Sequence, residues 1–201
     1  MSAEITSSTN PVVRAVVSGT APQQARMAAA RGLLPLAQEE LLELLVALRS
    51  DADEAVARAA DETLSAQEPA ALSAAASSAG TPPPVLAYLA TRADLGRAAQ
   101  EAVALNLSTP DEAIVELARA TQEGAVLEVI SINQQRLIRA PQIIDAVLGN
   151  PARTPDAERR VRETRREFFE KERGAQQIAG ELRARGQSAA AEFIESSEML
   201  T

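Results

Sequence analysis

Cysteine, histidine and tryptophan are missing from this 201-residue chain, and Lys171 is its one lysine. Without Cys or His, no Cys–His or Ser–His nucleophile pair can form. Zinc sites built on thiolate or imidazole are excluded as well. A Schiff-base lysine would have to be Lys171, which lies in a run of charges. Tyr88, Phe168, Phe169 and Phe193 are all the aromatic side chains, so no platform for stacking a sugar or a base is evident. Carboxylates are plentiful, but on a helical chain most of them are solvated surface. These absences point away from catalysis, and no cofactor or metal is expected.

Long hydrophobic runs are missing too. No stretch of roughly 18 apolar residues exists, so no membrane insertion is expected. The opening "MSAEITSSTN" has neither a basic nor an apolar segment of the secretory kind. A cytoplasmic location is expected, and the absence of cysteine agrees with it. Residues 1–9 are polar without a period and are expected to be disordered. Positive charge is scarce overall, for the net charge is −8. Residues 1–150 hold 10 arginines against 18 acids, whereas residues 151–201 hold 10 basic and 10 acidic residues. An acidic body repels phosphate backbones, so nucleic acid is a poor partner.

What is present favours helix. Alanine is the commonest residue, and Ala, Leu, Glu and Arg lose little rotamer freedom in a helix. β-branched and aromatic residues, which strands favour, are sparse outside Val126–Ile132 and Ile143–Val147. The chain reads as all-α. Asn10 before Pro11 marks a first helix carrying Val12, Val13, Val16 and Val17, and a second starts near Pro22 and breaks at Gly32. Over 35–49, Leu41, Leu44, Leu45 and Leu48 form a stripe opposite Glu39, Glu40 and Glu43. Ser50 with Asp53 three residues on resembles a capping box for the next helix, so 34–64 reads as a helical hairpin. Short helices are then predicted over 69–80, 85–90 and 94–105. Thr81 and Thr109 are predicted caps, with Pro110 at the first helical position, and Gly124 marks a further break.

The later segments repeat. "PVLAYLATRADLGRAAQEAVALN" ends at Asn106, and "DEAIVELARATQEGAVLEVISIN" ends at Asn133. Leu89-Ala90 and Leu117-Ala118 occupy matching places, a third unit begins at Pro141, and "TPDEA" at Thr109 returns as "TPDAE" at Thr154. Paired helices recurring about every 27–31 residues are the mark of a helical solenoid, in which each unit covers its neighbour's apolar face. On this rhythm the chain resembles the HEAT-like and leucine-rich-variant α-helical repeats of bacterial proteins over roughly residues 34–150. The resemblance implies a right-handed α-solenoid of stacked helix pairs with a concave, protein-binding face. Arg58 and Arg97 fit an arginine that such repeats carry in the second helix; the third unit has Glu128 there.

Three regions follow: a polar N-terminus (1–9), a helical-repeat domain (10–150), and a charged C-terminal helical arm with a capping or binding tail (151–201). In the arm, Glu158–Arg162, Arg159–Glu163, Arg166–Glu170 and Glu167–Lys171 stand at i, i+4. Val161, Thr164 and Phe168 share one face, with Phe169 beside it. The arm either docks on the last repeat through Val161 and Phe168 or binds another chain or an acidic partner. Beyond it, Ile178, Leu182, Phe193 and Ile194 sketch an amphipathic segment broken by Gly174, Gly180 and Gly186.

The function expected is a non-enzymatic interaction scaffold. Its candidate partner-binding residues are Asn106, Asn133, Gln134, Gln135 and Arg136 at repeat ends, with Arg159, Arg162, Arg166 and Phe169 on the arm. Two alternatives stay open. One is nucleic-acid binding or catalysis using a carboxylate such as Glu128 near Arg136 and Arg139. The other is a homo-oligomer assembled through residues 154–201. The run Asn133–Arg136 reads first as punctuation: the helix ends at Asn133, and a longer connector, pinned by Leu137 and Ile138, leads into the third unit.

Overall fold

A computed structural model describes residues 10–92, 94–170, 180–188, 190 and 192. Among these residues there is no strand. Over residues 10–165 the α-helices run in order: α1 (Pro11–Val17), α2 (Gln23–Ala30), α3 (Gln38–Leu48), α4 (Glu54–Ser65), α5 (Pro69–Ser77), α6 (Pro83–Thr91), α7 (Arg97–Leu105), α8 (Asp111–Ala120), α9 (Gly124–Ile132), α10 (Gln134–Arg139), α11 (Gln142–Gly149) and α12 (Pro155–Arg165), and residues 180–184 are helical as well. A single π-turn, Arg166–Glu170, prolongs α12. Expectations for residues 1–9, Lys171, Gly174, Ile178, Phe193 and Ile194 fall outside the described residues.

The helix starts show how local chemistry sets the boundaries. The Asn10 side chain accepts from the Val12 amide at 3.0 Å, and Thr154 accepts from the Ala157 amide at 3.2 Å, each ahead of a proline in the first turn. Gly19 and Gly32 close α1 and α2 at φ 72° and 67°, where a side chain would strain the backbone. Three predicted caps are corrected. Asp53, not Ser50, caps α4, its carboxylate accepting from the Ala55 amide at 2.9 Å. Thr81 and Thr109 do not cap. Their hydroxyls turn back to the Ala75 and Val103 carbonyls at 2.6 and 2.7 Å, leaving Pro82 and Pro110 as the N-cap residues. A buried carbonyl at a helix end needs a donor, and that need outranks the amides of the following turn.

Contacts between elements follow two series. In one, α1 packs on α3, α3 on α6, α6 on α8 and α8 on α11. In the other, α5 packs on α7, α7 on α9 and α9 on α12, while α2 packs on α4. Cross-contacts such as α3 with α4, α6 with α7 and α11 with α12 tie the series together. One core runs through the gap, from Val13 to Val161. Because α3 meets α1, α2, α4 and α6, its buried face is wider than the predicted stripe. Leu42 joins Leu44, Leu45 and Leu48 in the core, Leu41 is only half-buried, and Glu43, expected on the solvent side, is buried. Gly124 opens α9 for a packing reason: a Cβ there would stand 2.9 Å from the Ala152 carbonyl oxygen and from Thr154 Cγ2. The start of α12 can therefore lie against the start of α9.

The arm packs differently from its predicted face. Ala157, Val161 and Thr164 are buried, as period 3.6 requires. The π-turn then inserts one extra residue per turn and shifts the register by one. Phe169 takes the next inward place against the core, and Phe168 is left 36% exposed. The docking role expected of Phe168 belongs to Phe169.

Candidate interaction surface

Helix C-termini leave carbonyls unpaired, and three side chains collect them from neighbouring helices. Asn106 donates from Nδ2 to the Ala76 and Ser78 carbonyls at 3.0 and 2.9 Å, tying the end of α7 to the end of α5. Its Oδ1 accepts from the Ser108 amide at 3.0 Å. Asn150 does the same between α11 and α8: Nδ2 donates to the Ala118, Arg119 and Thr121 carbonyls at 2.8, 3.4 and 2.9 Å. Its Oδ1 accepts from the Ala152 amide at 2.7 Å. Asn150, and not Asn133, is thus the counterpart of Asn106. Asn133 caps α10 instead, accepting from the Arg136 amide at 3.1 Å.

Arg136 serves the end of α7. It is 4% exposed and donates to the carbonyls of Ala104, Asn106, Leu107 and Thr109 at 3.2–3.5 Å. Asp111 stands 3.4 Å from its Nε and accepts two hydrogen bonds from Arg139, at 2.6 and 2.7 Å. Those Arg139 bonds, more than the charge of Arg136, hold the Asp111 carboxyl below its ordinary value. Burial pulls the Arg136 guanidinium down, and Asp111 opposes that pull. A cation against helix-end carbonyls suits the dipole of α7. Arg136 therefore faces inward, which corrects its place among the partner-binding candidates. The α9 helix does end at Ile132, but the connector after it is itself a helix, α10, built to carry this arginine.

With those carbonyls bonded, three large aliphatic side chains are left exposed at this edge, beside the Asp111–Arg139 ion pair. Leu105 closes α7 and Ile132 closes α9, and they are 67% and 66% exposed; Leu107 is 83% exposed. Helices α7 and α9 pack side by side, and Arg136, just past the end of α9, reaches the end of α7. Their C-termini therefore share one edge, at the usual spacing of about 8–10 Å between axes. Gln134 and Gln135 are exposed on the same edge. The sequence reading named this stretch but not its apolar members. The available signal was that Leu105 falls off the Ala99–Val103 stripe of α7.

A second surface lies on the outer face of α12. An open cleft of about 520 Å³ is lined by Pro151, Arg153, Pro155, Glu158, Arg159, Arg162, Glu163 and Arg166. It brings together the three predicted arginines and adds Arg153, which the sequence reading did not single out. Arg153 and Arg162 both reach Glu158, at 2.9 and 2.8 Å. Their hydrogen bonds, that of Arg162 foremost, hold its carboxyl below the usual range. Arg159 pairs with Asp156 at 3.1 Å and Glu163 at 3.5 Å. The predicted partner of Arg166, Glu170, has no described side chain. Glu128 is not joined to Arg136 and Arg139, which converge on Asp111.

No family model, curated protein or solved structure matches the chain. Among the described residues no helix is long and apolar enough to cross a membrane.

Proposed function

We propose that this chain is a non-enzymatic adaptor, an α-solenoid of the HEAT-like kind that holds a partner protein against the shared C-terminal edge of α7 and α9. The observation that carries the reading is the exposure of Leu105, Leu107 and Ile132, 66–83% open at the helix ends that Arg136 joins. Large aliphatic side chains grouped in water mark interaction surfaces more often than scattered ones do. Asn106 and Arg136 support the same reading from below. By bonding the helix-end carbonyls, they leave an edge that a partner covers without leaving backbone oxygens unpaired. The two contact series, in which helices two or three apart along the chain pack together, are the pattern a solenoid has.

A photo-crosslinking residue placed at 107 or 132 in the living cell tests this. Both positions should capture the same polypeptide, and a probe at exposed Arg58 should not. Leu107→Asp should abolish capture from 132 while leaving the melting temperature unchanged. Equal labelling from all three positions, or none from 107 and 132, would overturn the proposal.

A further inference from the structure

The cleft on α12 is a different kind of surface, and its chemistry names a different occupant. Four guanidinium groups line it against two carboxylates, Glu158 and Glu163. Each arginine carries five N–H donors and spends only some of them internally. Arg153 is held by Glu158 and by the Asn150 carbonyl at 3.1 Å. Arg162 is held by the same carboxylate. Their positions are thereby set before any ligand arrives, which lowers the cost of ordering them on binding. Arg166 has no carboxylate partner among the described side chains. Pro151 and Pro155 give the cleft a stiff rim. Among the helices, α12 is the last of its series, and α9, α10, α11 and the π-turn contact it elsewhere. The open face is charged, so it does not match the apolar seams between α5, α7 and α9.

The surrounding charge sharpens this. Residues 1–150 carry −8, whereas the cleft sets four arginines against Glu158, Glu163 and the Asp156 paired with Arg159. The cleft is thus a positive island on an acidic molecule. We infer that it binds an acidic peptide segment of another protein, rich in Asp or Glu, through forked arginine–carboxylate contacts from Arg153, Arg159, Arg162 and Arg166. The acidic body beyond the cleft repels a long phosphate chain while tolerating a short segment confined to the cleft. This inference stands apart from the apolar edge, which uses none of these residues.

The test is fluorescence anisotropy on the full chain with a labelled deca-glutamate peptide. Controls are a glycine–serine decapeptide and a single-stranded ten-nucleotide DNA. Deca-glutamate should bind, the neutral peptide should not, and raising salt from about 50 to 300 mM should weaken binding at least about tenfold. Arg162→Glu with Arg166→Glu should weaken it by about tenfold or more, and Arg31→Glu, exposed and far along the chain, should not. If the double variant fails to fold by circular dichroism, Arg166→Gln alone replaces it, because that residue anchors no described ion pair. It should still weaken binding at least about twofold. No binding of deca-glutamate, tighter binding of the DNA, or binding indifferent to Arg166 each overturns the inference.

Discussion

At the residue scale, the informative side chains are those that leave their own helix to serve another. Arg136 is the clearest. It sits in a run of polar residues, yet its guanidinium is 4% exposed and spread over four carbonyls. Arg136→Ala leaves those carbonyls and Asp111 without their cation and should destabilise the fold by about 3 kcal/mol in urea unfolding. Arg136→Lys keeps the charge but loses the planar fork, and its loss should fall between wild type and alanine. Asp111 beside it sets a pH dependence. Its folded pKa is lowered, chiefly by the Arg139 hydrogen bonds. A lowered carboxyl pKa contributes stability that is present above the unfolded value and is lost as pH falls through the folded one. The melting temperature should therefore drop below about pH 4. Asp111→Asn should lower the melting temperature at neutral pH and flatten part of that acid slope.

At the element scale, the arm shows how one irregular turn reassigns a face. A straight helix from Pro155 puts Phe168 on the stripe of Val161 and Thr164. The π-turn over Arg166–Glu170 gives that place to Phe169. Phe169→Ala should then cost about 2 kcal/mol, and Phe168→Ala should stay within about 0.5 kcal/mol, both read by thermal melting. The opposite ordering would mean that the helix runs on without the turn. The Thr81-Pro82 and Thr109-Pro110 turns make a related point. They are 28 residues apart and fold alike, each hydroxyl returning to a carbonyl six residues back. Side-chain spacing alone reads both as helix caps, because a Thr-Pro pair suits either role.

At the scale of the whole molecule, the contact pattern decides how the chain comes apart. The reported packings join helices near in the chain, from α1 on α3 to α11 on α12. Val13 is fully buried at the first end, and Val13→Ala should cost about 2 kcal/mol locally. Hydrogen exchange should quicken in α1, α2 and α3 and stay unchanged in α11 and α12, as in a chain of nearest-neighbour units. Uniform quickening across all helices would instead mark one globally cooperative core.

Much of this was legible in the sequence because it is set by local chemistry. The helical content follows from residues that lose little freedom in a helix. Asn10, Gly19, Gly32 and Thr154 bound helices by backbone rules that act within one turn. Missing residue types limit the available chemistry whatever the fold. Tertiary structure decided the rest, because it rests on atoms some 30 residues apart. It made Asn150 rather than Asn133 the counterpart of Asn106, since Asn150 meets the end of a neighbouring helix and Asn133 caps its own. It turned Arg136 inward, where unpaired carbonyls outweigh the cost of burying a charge, and so left Leu105, Leu107 and Ile132 to face water.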